Sequence, residues 1–87
     1  MDKQEIIGLL REIIKPYTEE QAALEKIDEK TDFIADLKIN SANLVDIILD
    51  IEEKFGILID NDSMAKMLTV SATINIIEDK LAGNAGK

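Results

Sequence analysis

The 87-residue sequence contains 18 acidic and 10 basic residues, no Cys, His or Trp, and has a formal net charge of −8. A chain of this length forms one domain with a small core. Without Cys or His it has no disulfide, thiol nucleophile or imidazole base, which excludes Ser-His and Cys-His catalysis. The charge argues against binding to nucleic acid or to an anionic membrane surface, and it favours partners with basic surfaces.

The first predicted element is a helix over about residues 3–15. Asp2 followed by Glu5 resembles an N-terminal capping pair, and Pro16 predicts that the helix ends at Lys15. No uninterrupted apolar stretch follows the charged N-terminus, so we expect neither a signal peptide nor a membrane span. The residues that recur at helical spacing form one broad apolar stripe: Ile6, Ile7, Leu9, Leu10, Ile13, Ile14 and Tyr17.

A long connection over residues 16–40 follows. Thr18 with Gln21 predicts a cap for a short turn of helix over residues 22–24. Connections this long in a small domain are more often functional than idle. We expect the connection to pack on the core, because its apolar residues are too many for a free linker: Ile27, Phe33, Ile34, Leu37 and Ile39.

The most regular pattern predicts a helix from Ser41 to Phe55, with Gly56 as a left-handed C-terminal cap. The expected inward stripe, widened by its last two members, is Leu44, Val45, Ile48, Ile51, Phe55, Ile47 and Leu49. The opposite, polar face is predicted to carry Asn43, Asp46, Asp50 and Glu53.

Two weaker patterns complete the fold. Residues 60–67 predict a short helix, in which Met64 and Met67 are interpreted as core residues. Thr69 is placed to cap a last helix, which Gly83 is predicted to end. Residues 57–59 have no second strand to pair with, so we interpret them as a core-packed loop. The prediction is an all-α, small four-helix bundle with three main helices, a short third helix and a long first connection. Residues 1–82 form the domain, and residues 83–87 are predicted to be a flexible tail.

Ser41 is the candidate functional residue. Asn40 is a good N-cap, which places Ser41 in the first helical turn, where unpaired N–H groups and the helix dipole favour an anion. A phosphate ester on this hydroxyl would be stabilised by roughly 0.3–1 kcal/mol and would project outward. On position alone, a capping serine is the more common explanation.

From Phe33 to Ile77 the sequence resembles the acyl carrier protein family, whose members carry acyl groups as thioesters on a 4′-phosphopantetheine arm. Members typically read Asp-Leu-Gly-x-Asp-Ser-Leu before a helix that ends in an acidic cluster and Phe. The corresponding segments are Asp36-Leu37-Lys38-Ile39-Asn40-Ser41-Ala42 and Glu52-Glu53-Lys54-Phe55-Gly56-Ile57. Residues 66–70 resemble the family's Lys-Ile-x-Thr-Val entry into the last helix, and residues 1–32 match only in helical pattern.

The resemblance implies that Ser41 bears the arm, which a phosphopantetheinyl transferase donates from coenzyme A. The protein would be a carrier and not an enzyme, because the thiol belongs to the arm and bond-making to partner enzymes. Those partners would be acyl-activating, synthase or acyltransferase enzymes with basic docking patches, in fatty-acid, lipid or polyketide-type biosynthesis. We expect a cytoplasmic monomer without a metal. For any one of the acidic residues, simple solvation of an exposed helix face is an equally good explanation. The implied docking residues are Asp36, Asn40, Ala42, Asp46, Asp50 and Glu53.

Three departures from the family pattern surround Ser41: Lys38 replaces Gly, Asn40 replaces Asp, and Ala42 replaces Leu. They indicate a specialised carrier, and we hypothesise a role outside bulk fatty-acid synthesis. Two alternatives remain open at this point: an aminoacyl or D-alanyl carrier, and an unmodified helical interaction module of the same fold. Residues 60–63 resemble the start of a calcium loop but lack its Gly and Glu, so a helix start is the better interpretation.

Overall fold

The computed structural model describes residues 2–85, with side chains over residues 2–82. Within these residues the chain forms five α-helices: α1 (Lys3–Ile14), α2 (Gln21–Glu25), α3 (Ser41–Phe55), α4 (Asn61–Lys66) and α5 (Val70–Ala85). The predicted all-α class and its three main helices are confirmed. α2, predicted only as a short turn, is a fifth helix. The one β-bridge in the described part joins Asp32 to Thr69.

Four of the helices begin with the same local interaction. A side-chain oxygen before the helix accepts a hydrogen bond from the backbone N–H three residues later, which satisfies one of the unpaired donors of the first turn. These residues are Asp2, Asn40, Asp60 and Thr69, at 2.8, 2.8, 2.8 and 3.1 Å. Gly56 ends α3 at φ 66°, the left-handed conformation that glycine adopts without strain. The predicted caps at Asp2, Asn40, Gly56 and Thr69 are therefore confirmed.

The core lies between α1, α3 and α5, and the long connection packs on it. The main helices bury Ile6, Leu10, Ile14, Leu44, Ile47, Ile48, Ile51, Val70, Ile74 and Ile77. Leu24, Ile27, Phe33, Leu37 and Ile39 are buried from the connection, as predicted. Met67 is fully buried, and Met64 packs partly against the same cluster. Ile57 and Ile59 are buried in a loop, whereas Leu58 between them is 84% exposed.

The predicted inward stripe of α3 is too wide. Val45 and Leu49 are 44% and 51% exposed. At 100° per residue, the buried arc of α3 is centred among Leu44, Ile47 and Ile51, and within residues 2–85 no other element covers the arc that holds Val45 and Leu49. Ile34, also predicted to pack on the core, is 43% exposed. It lies in a turn where its N–H bonds to the Asp32 carboxylate, which directs the chain outward.

The helix ends differ from the prediction in several places, including α4, which spans Asn61–Lys66 instead of residues 60–67. α1 ends at Ile14, one residue early, and Pro16 lies in a 3₁₀ turn over Lys15–Tyr17. Thr18 does not cap α2, whose N-cap Glu20 makes no side-chain capping bond. α5 continues past Gly83 to Ala85 because glycine weakens a helix without ending it. Of the predicted flexible tail 83–87, Gly86 and Lys87 lie outside the described residues, and its flexibility remains a prediction.

Candidate functional site

Ser41 is the first residue of α3, and its side chain is exposed. The Asn40 side chain accepts the N–H of Asn43 at 2.8 Å, so the helix is capped without the serine. Within the described residues, the Ser41 hydroxyl makes no hydrogen bond, and neither do the backbone N–H groups of Ser41 and Ala42. The capping explanation for this serine therefore fails, and its oxygen is accessible at the positive end of a 15-residue helix.

The segment that leads into Ser41 is anchored in the core by two buried residues, which lie on either side of the exposed Lys38. Leu37 and Ile39 are 0% and 1% exposed, and the Leu37 carbonyl accepts a hydrogen bond from the Thr18 hydroxyl at 2.6 Å. Lys38 between them is exposed and has φ 57°, a left-handed conformation that is strained for a residue with a Cβ. The usual glycine of the family pattern would adopt it freely.

The predicted docking carboxylates have different surroundings. Asp46 and Glu53 are exposed on α3 and form no ion pair within residues 2–82. Asp36 is exposed and accepts the backbone N–H of Asp32 at 2.7 Å. Asp50 is half-buried and accepts a hydrogen bond from the Tyr17 hydroxyl at 2.8 Å. This bond raises the pKa of Tyr17 above its usual value of 10.0, with burial and the Asp50 charge adding to the effect.

The outer face of α3 includes two residues that the sequence reasoning missed. Ser41, Val45 and Leu49 lie one turn apart along the helix, and Val45 and Leu49 are both exposed. The only available signal was that seven apolar residues are too many for one buried arc, which does not say which of them face outward. We define the outer face of α3 as Ser41, Ala42, Val45, Asp46, Leu49 and Glu53, all of them exposed.

The described residues fit a covalently attached phosphodiester. The accessible hydroxyl and the unpaired N–H groups of Ser41 and Ala42 favour an anion at this position, and the exposed Lys38, three residues earlier in the chain, adds a positive charge to this segment. Among the described residues, no group of three or more potential ligands is arranged to hold a metal ion. No helix in residues 2–85 is long and apolar enough to span a membrane.

Comparison of the sequence with known proteins agrees with this interpretation of the site. The family model described as "Phosphopantetheine attachment site" matches residues 6–77. Acyl carrier proteins from Picosynechococcus sp. and Coprothermobacter proteolyticus are 32% and 30% identical to this chain over 81 residues. Each alignment covers 93% of this chain, with 98% and 96% of the respective relative.

Comparison of structures agrees. The crystal structure of the acyl carrier protein from Thermotoga maritima matches with a TM-score of 0.81 and 25% identity, covering 95% of this chain and 94% of that one. The acyl carrier protein from Enterococcus faecalis matches with a TM-score of 0.73 and 21% identity over 92% and 99% of the two chains, which shows the fold. The chain therefore belongs to the acyl carrier protein family, as a carrier rather than an enzyme, with covalently attached 4′-phosphopantetheine as its cofactor.

Proposed function

We propose that this protein carries acyl groups as thioesters on an arm attached to Ser41 and delivers them to enzymes of fatty-acid, lipid or polyketide-type biosynthesis. The observation that carries the proposal is the exposed Ser41 hydroxyl at the start of α3, whose cap is already supplied by Asn40. A phosphopantetheinyl transferase would load this hydroxyl from coenzyme A. The same dependence on coenzyme A favours the cytoplasm as the compartment.

The residues around Ser41 hold and orient the attachment point. The N–H groups of Ser41 and Ala42 and the dipole of α3 stabilise a phosphodiester by roughly 0.3–1 kcal/mol at an exposed site. The exposed Lys38 ammonium adds a charge of opposite sign on the preceding segment. The attached arm supplies the thiol that this sequence lacks.

The outer face of α3 is the proposed docking surface for the partner enzymes. Asp46 and Glu53 provide exposed negative charge, which attracts basic patches and speeds encounter without tight binding. Val45 and Leu49 provide an apolar contact between those charges and Ser41. Ala42 leaves this contact shallow beside the attachment point. Asn40 directly precedes Ser41, and Asp36 lies five residues before it in the chain. Asp50 adds charge at the edge, where Tyr17 holds it in place.

Intact-mass measurement after incubation with coenzyme A and a broad-specificity transferase tests the attachment. The wild type is expected to gain the mass of one arm, and Ser41→Ala to gain none. Ser63→Ala is the matched control, because Ser63 is also in the first turn of a helix, α4, and its loading should equal that of the wild type. Absence of any gain on the wild type, or an equal gain on Ser41→Ala, would support the unmodified interaction module instead.

The cargo is tested on the protein that bears the arm. Incubation with acyl-activating and with aminoacyl-activating enzymes should give a thioester mass for an acyl group. If only an amino acid is transferred, the acyl assignment is wrong and the aminoacyl or D-alanyl alternative replaces it. The departures at Lys38, Asn40 and Ala42 make this comparison informative, since they alter the surface next to the attachment point.

A further inference from the structure

A polar groove with a volume of about 420 Å³ lies beside the attachment point. One wall comes from the connection after α1, the rim from the segment before Ser41, and the other wall from the first turn of α3. Asn40 on the rim directly precedes Ser41, so the groove opens one residue away from the attachment oxygen. The lining residues are Tyr17, Glu19, Glu20, Lys38, Asn40 and Asn43. None of them is an apolar aliphatic residue, so the groove does not suit an acyl chain.

Hydrogen bonds hold the walls of this groove in place. Tyr17 donates to Asp50 across 33 residues of sequence at 2.8 Å, which ties the connection to α3. The neighbouring Thr18 hydroxyl donates to the carbonyl of Leu37 at 2.6 Å, which positions the rim just before Lys38. The Asn40 side chain bonds to the backbone of Asn43 at 2.8 Å. The groove is therefore formed before any ligand enters, which lowers the entropy lost on binding.

The groove also presents polar groups with unused hydrogen-bonding capacity. Within the described residues, the Lys38 ammonium forms no ion pair and the Asn43 carboxamide forms no hydrogen bond. The Tyr17 oxygen donates to Asp50 and keeps its capacity to accept. The exposed carboxylates of Glu19 and Glu20 accept N–H donors. This set matches a chain that begins with one anionic group and continues with amides: the anion would face Lys38, amide N–H groups would face the carboxylates, and amide carbonyls would face Asn43.

We propose that this groove seats the amide-bearing segment of the 4′-phosphopantetheine arm, with Lys38 against its phosphodiester. The proposal rests on attachment of the arm at Ser41. At 100° per residue, Asn43 lies about 160° around α3 from Val45 and about 120° from Leu49, so the groove faces away from the apolar part of the outer face and borders its acidic edge at Asp46. A seated arm therefore leaves Val45 and Leu49 open, and a partner can contact them before the arm leaves the groove.

Isotope-filtered nuclear Overhauser spectroscopy tests the seat directly. Protein labelled with ¹³C and ¹⁵N is loaded from unlabelled coenzyme A, and intact mass confirms that one arm is attached. Cross-peaks from arm methyl and methylene protons to the Tyr17 ring and the Asn43 carboxamide are expected. Cross-peaks only to Ala42, Val45 and Leu49, or none to the protein, would overturn the seat while leaving the attachment intact. A protein that gains no mass would instead overturn the attachment, and the seat with it.

A pair of variants separates a specific seat from a general change in folding. Asn43→Ala removes the carboxamide but keeps the backbone N–H that Asn40 binds, and Asn75→Ala is the control on an exposed position of α5. Asn43→Ala removes one hydrogen bond to an arm carbonyl, which should raise the unseated population about fivefold, and hydrogen exchange of the arm amides that face Glu19 and Glu20 should become faster by the same factor. The rate in Asn75→Ala should equal that of the wild type. Equal exchange rates in the two variants would contradict the proposal, and circular dichroism confirms that both are folded.

Discussion

At the residue scale, the start of α3 divides two tasks between adjacent side chains. Asn40 caps the helix through the N–H of Asn43, and Ser41 keeps an exposed hydroxyl that the fold does not need. Replacing a capping residue by Ala typically costs about 1 kcal/mol, whereas an exposed serine in the first turn contributes little to stability. Ser41 can therefore be substituted to test the attachment without disturbing α3.

Lys38 has a backbone conformation that suits glycine better, so Lys38→Gly should stabilise the fold. A left-handed conformation costs a residue with a Cβ about 1–2 kcal/mol, and Lys38→Gly removes this strain. Part of the gain is lost because glycine has more conformational entropy in the unfolded chain. We expect the free energy of unfolding to rise by about 0.5–1 kcal/mol, which urea denaturation measures.

Lys30→Gly is the matched control for that substitution. Lys30 is also exposed, lies in the same connection, and does not have a positive φ. The change should therefore lower stability, because only the entropic effect of glycine remains. Equal effects of the two substitutions would show that the backbone of Lys38 is not strained.

Local rules explain which residues could be predicted from the sequence. The caps at Asn40, Gly56 and Thr69 depend only on neighbours within about four positions, and all three are confirmed. The hydrogen bond between Tyr17 and Asp50 joins positions 33 apart and depends on how the 3₁₀ turn after α1 meets α3, so no sequence pattern indicated it. For the same reason, no sequence pattern indicated that Glu19 and Glu20 line the polar groove.

At the element scale, α3 shows why the outward residues were harder to predict than the helix itself. Its bounds are Ser41–Phe55, as predicted. Its apolar residues cover more of the helix circumference than one neighbouring surface can bury. Helical periodicity does not indicate which edge of this apolar stripe faces the core. Packing against α1 selects the arc with Leu44 and Ile48 and leaves Val45 and Leu49 to solvent. The prediction therefore had the helix right and the edge of its buried face wrong.

Two glycine-to-alanine substitutions should have opposite effects on stability. In α1, a Cβ on Gly8 would meet no atom within 4 Å, so Gly8→Ala should raise the free energy of unfolding by about 0.5–1 kcal/mol through helix propensity. Gly56 has equal space but φ 66°, so Gly56→Ala should lower it by about 1 kcal/mol. Thermal unfolding measures both changes, and a shift of the same sign for the two would contradict this account of a helical glycine and a C-cap glycine.

The proposed docking face predicts a position-dependent effect of charge. Reversing Asp46 and Glu53 to Lys should lower kcat/KM for arm transfer about tenfold at low salt, since electrostatic steering typically changes association rates by this factor or more. Glu25 and Asp79, exposed on α2 and α5, make the control when reversed together, because the net charge changes equally. Transfer that slows equally in both double variants would locate the effect in net charge rather than in the outer face.

At the scale of the whole molecule, negative charge greatly exceeds the pairing available to it. The formal net charge is −8, and the described residues contain two ion pairs, Lys3–Glu29 at 3.1 Å and Lys80–Asp60 at 3.8 Å. Exposed pairs of this kind contribute little. Composition predicts repulsion among the carboxylates and favours partners with basic surfaces, but the distribution of charge over the surface required the fold.

Added salt should raise the melting temperature, because it screens repulsion among the excess carboxylates. Scanning calorimetry at low salt and at about 0.5 M sodium chloride measures the shift. At the higher concentration the Debye length is below about 10 Å, so charges on the surface are screened from one another. Glu19→Gln combined with Glu20→Gln should melt higher at low salt and respond less to salt. A melting temperature that does not change with salt, in either protein, would exclude repulsion as a limiting factor.

The attachment of the arm to Ser41 is tested most directly by peptide mapping of the loaded protein. Trypsin cleaves after Lys38 and Lys54, and Ser41 is the only residue with a hydroxyl side chain in the resulting peptide, residues 39–54. Tandem mass spectrometry should find the mass of the arm on this peptide, between Asn40 and Ala42. An unmodified 39–54 peptide from protein that has gained the arm, or the same mass on the peptides that contain Ser63 or Ser71, would contradict the assignment.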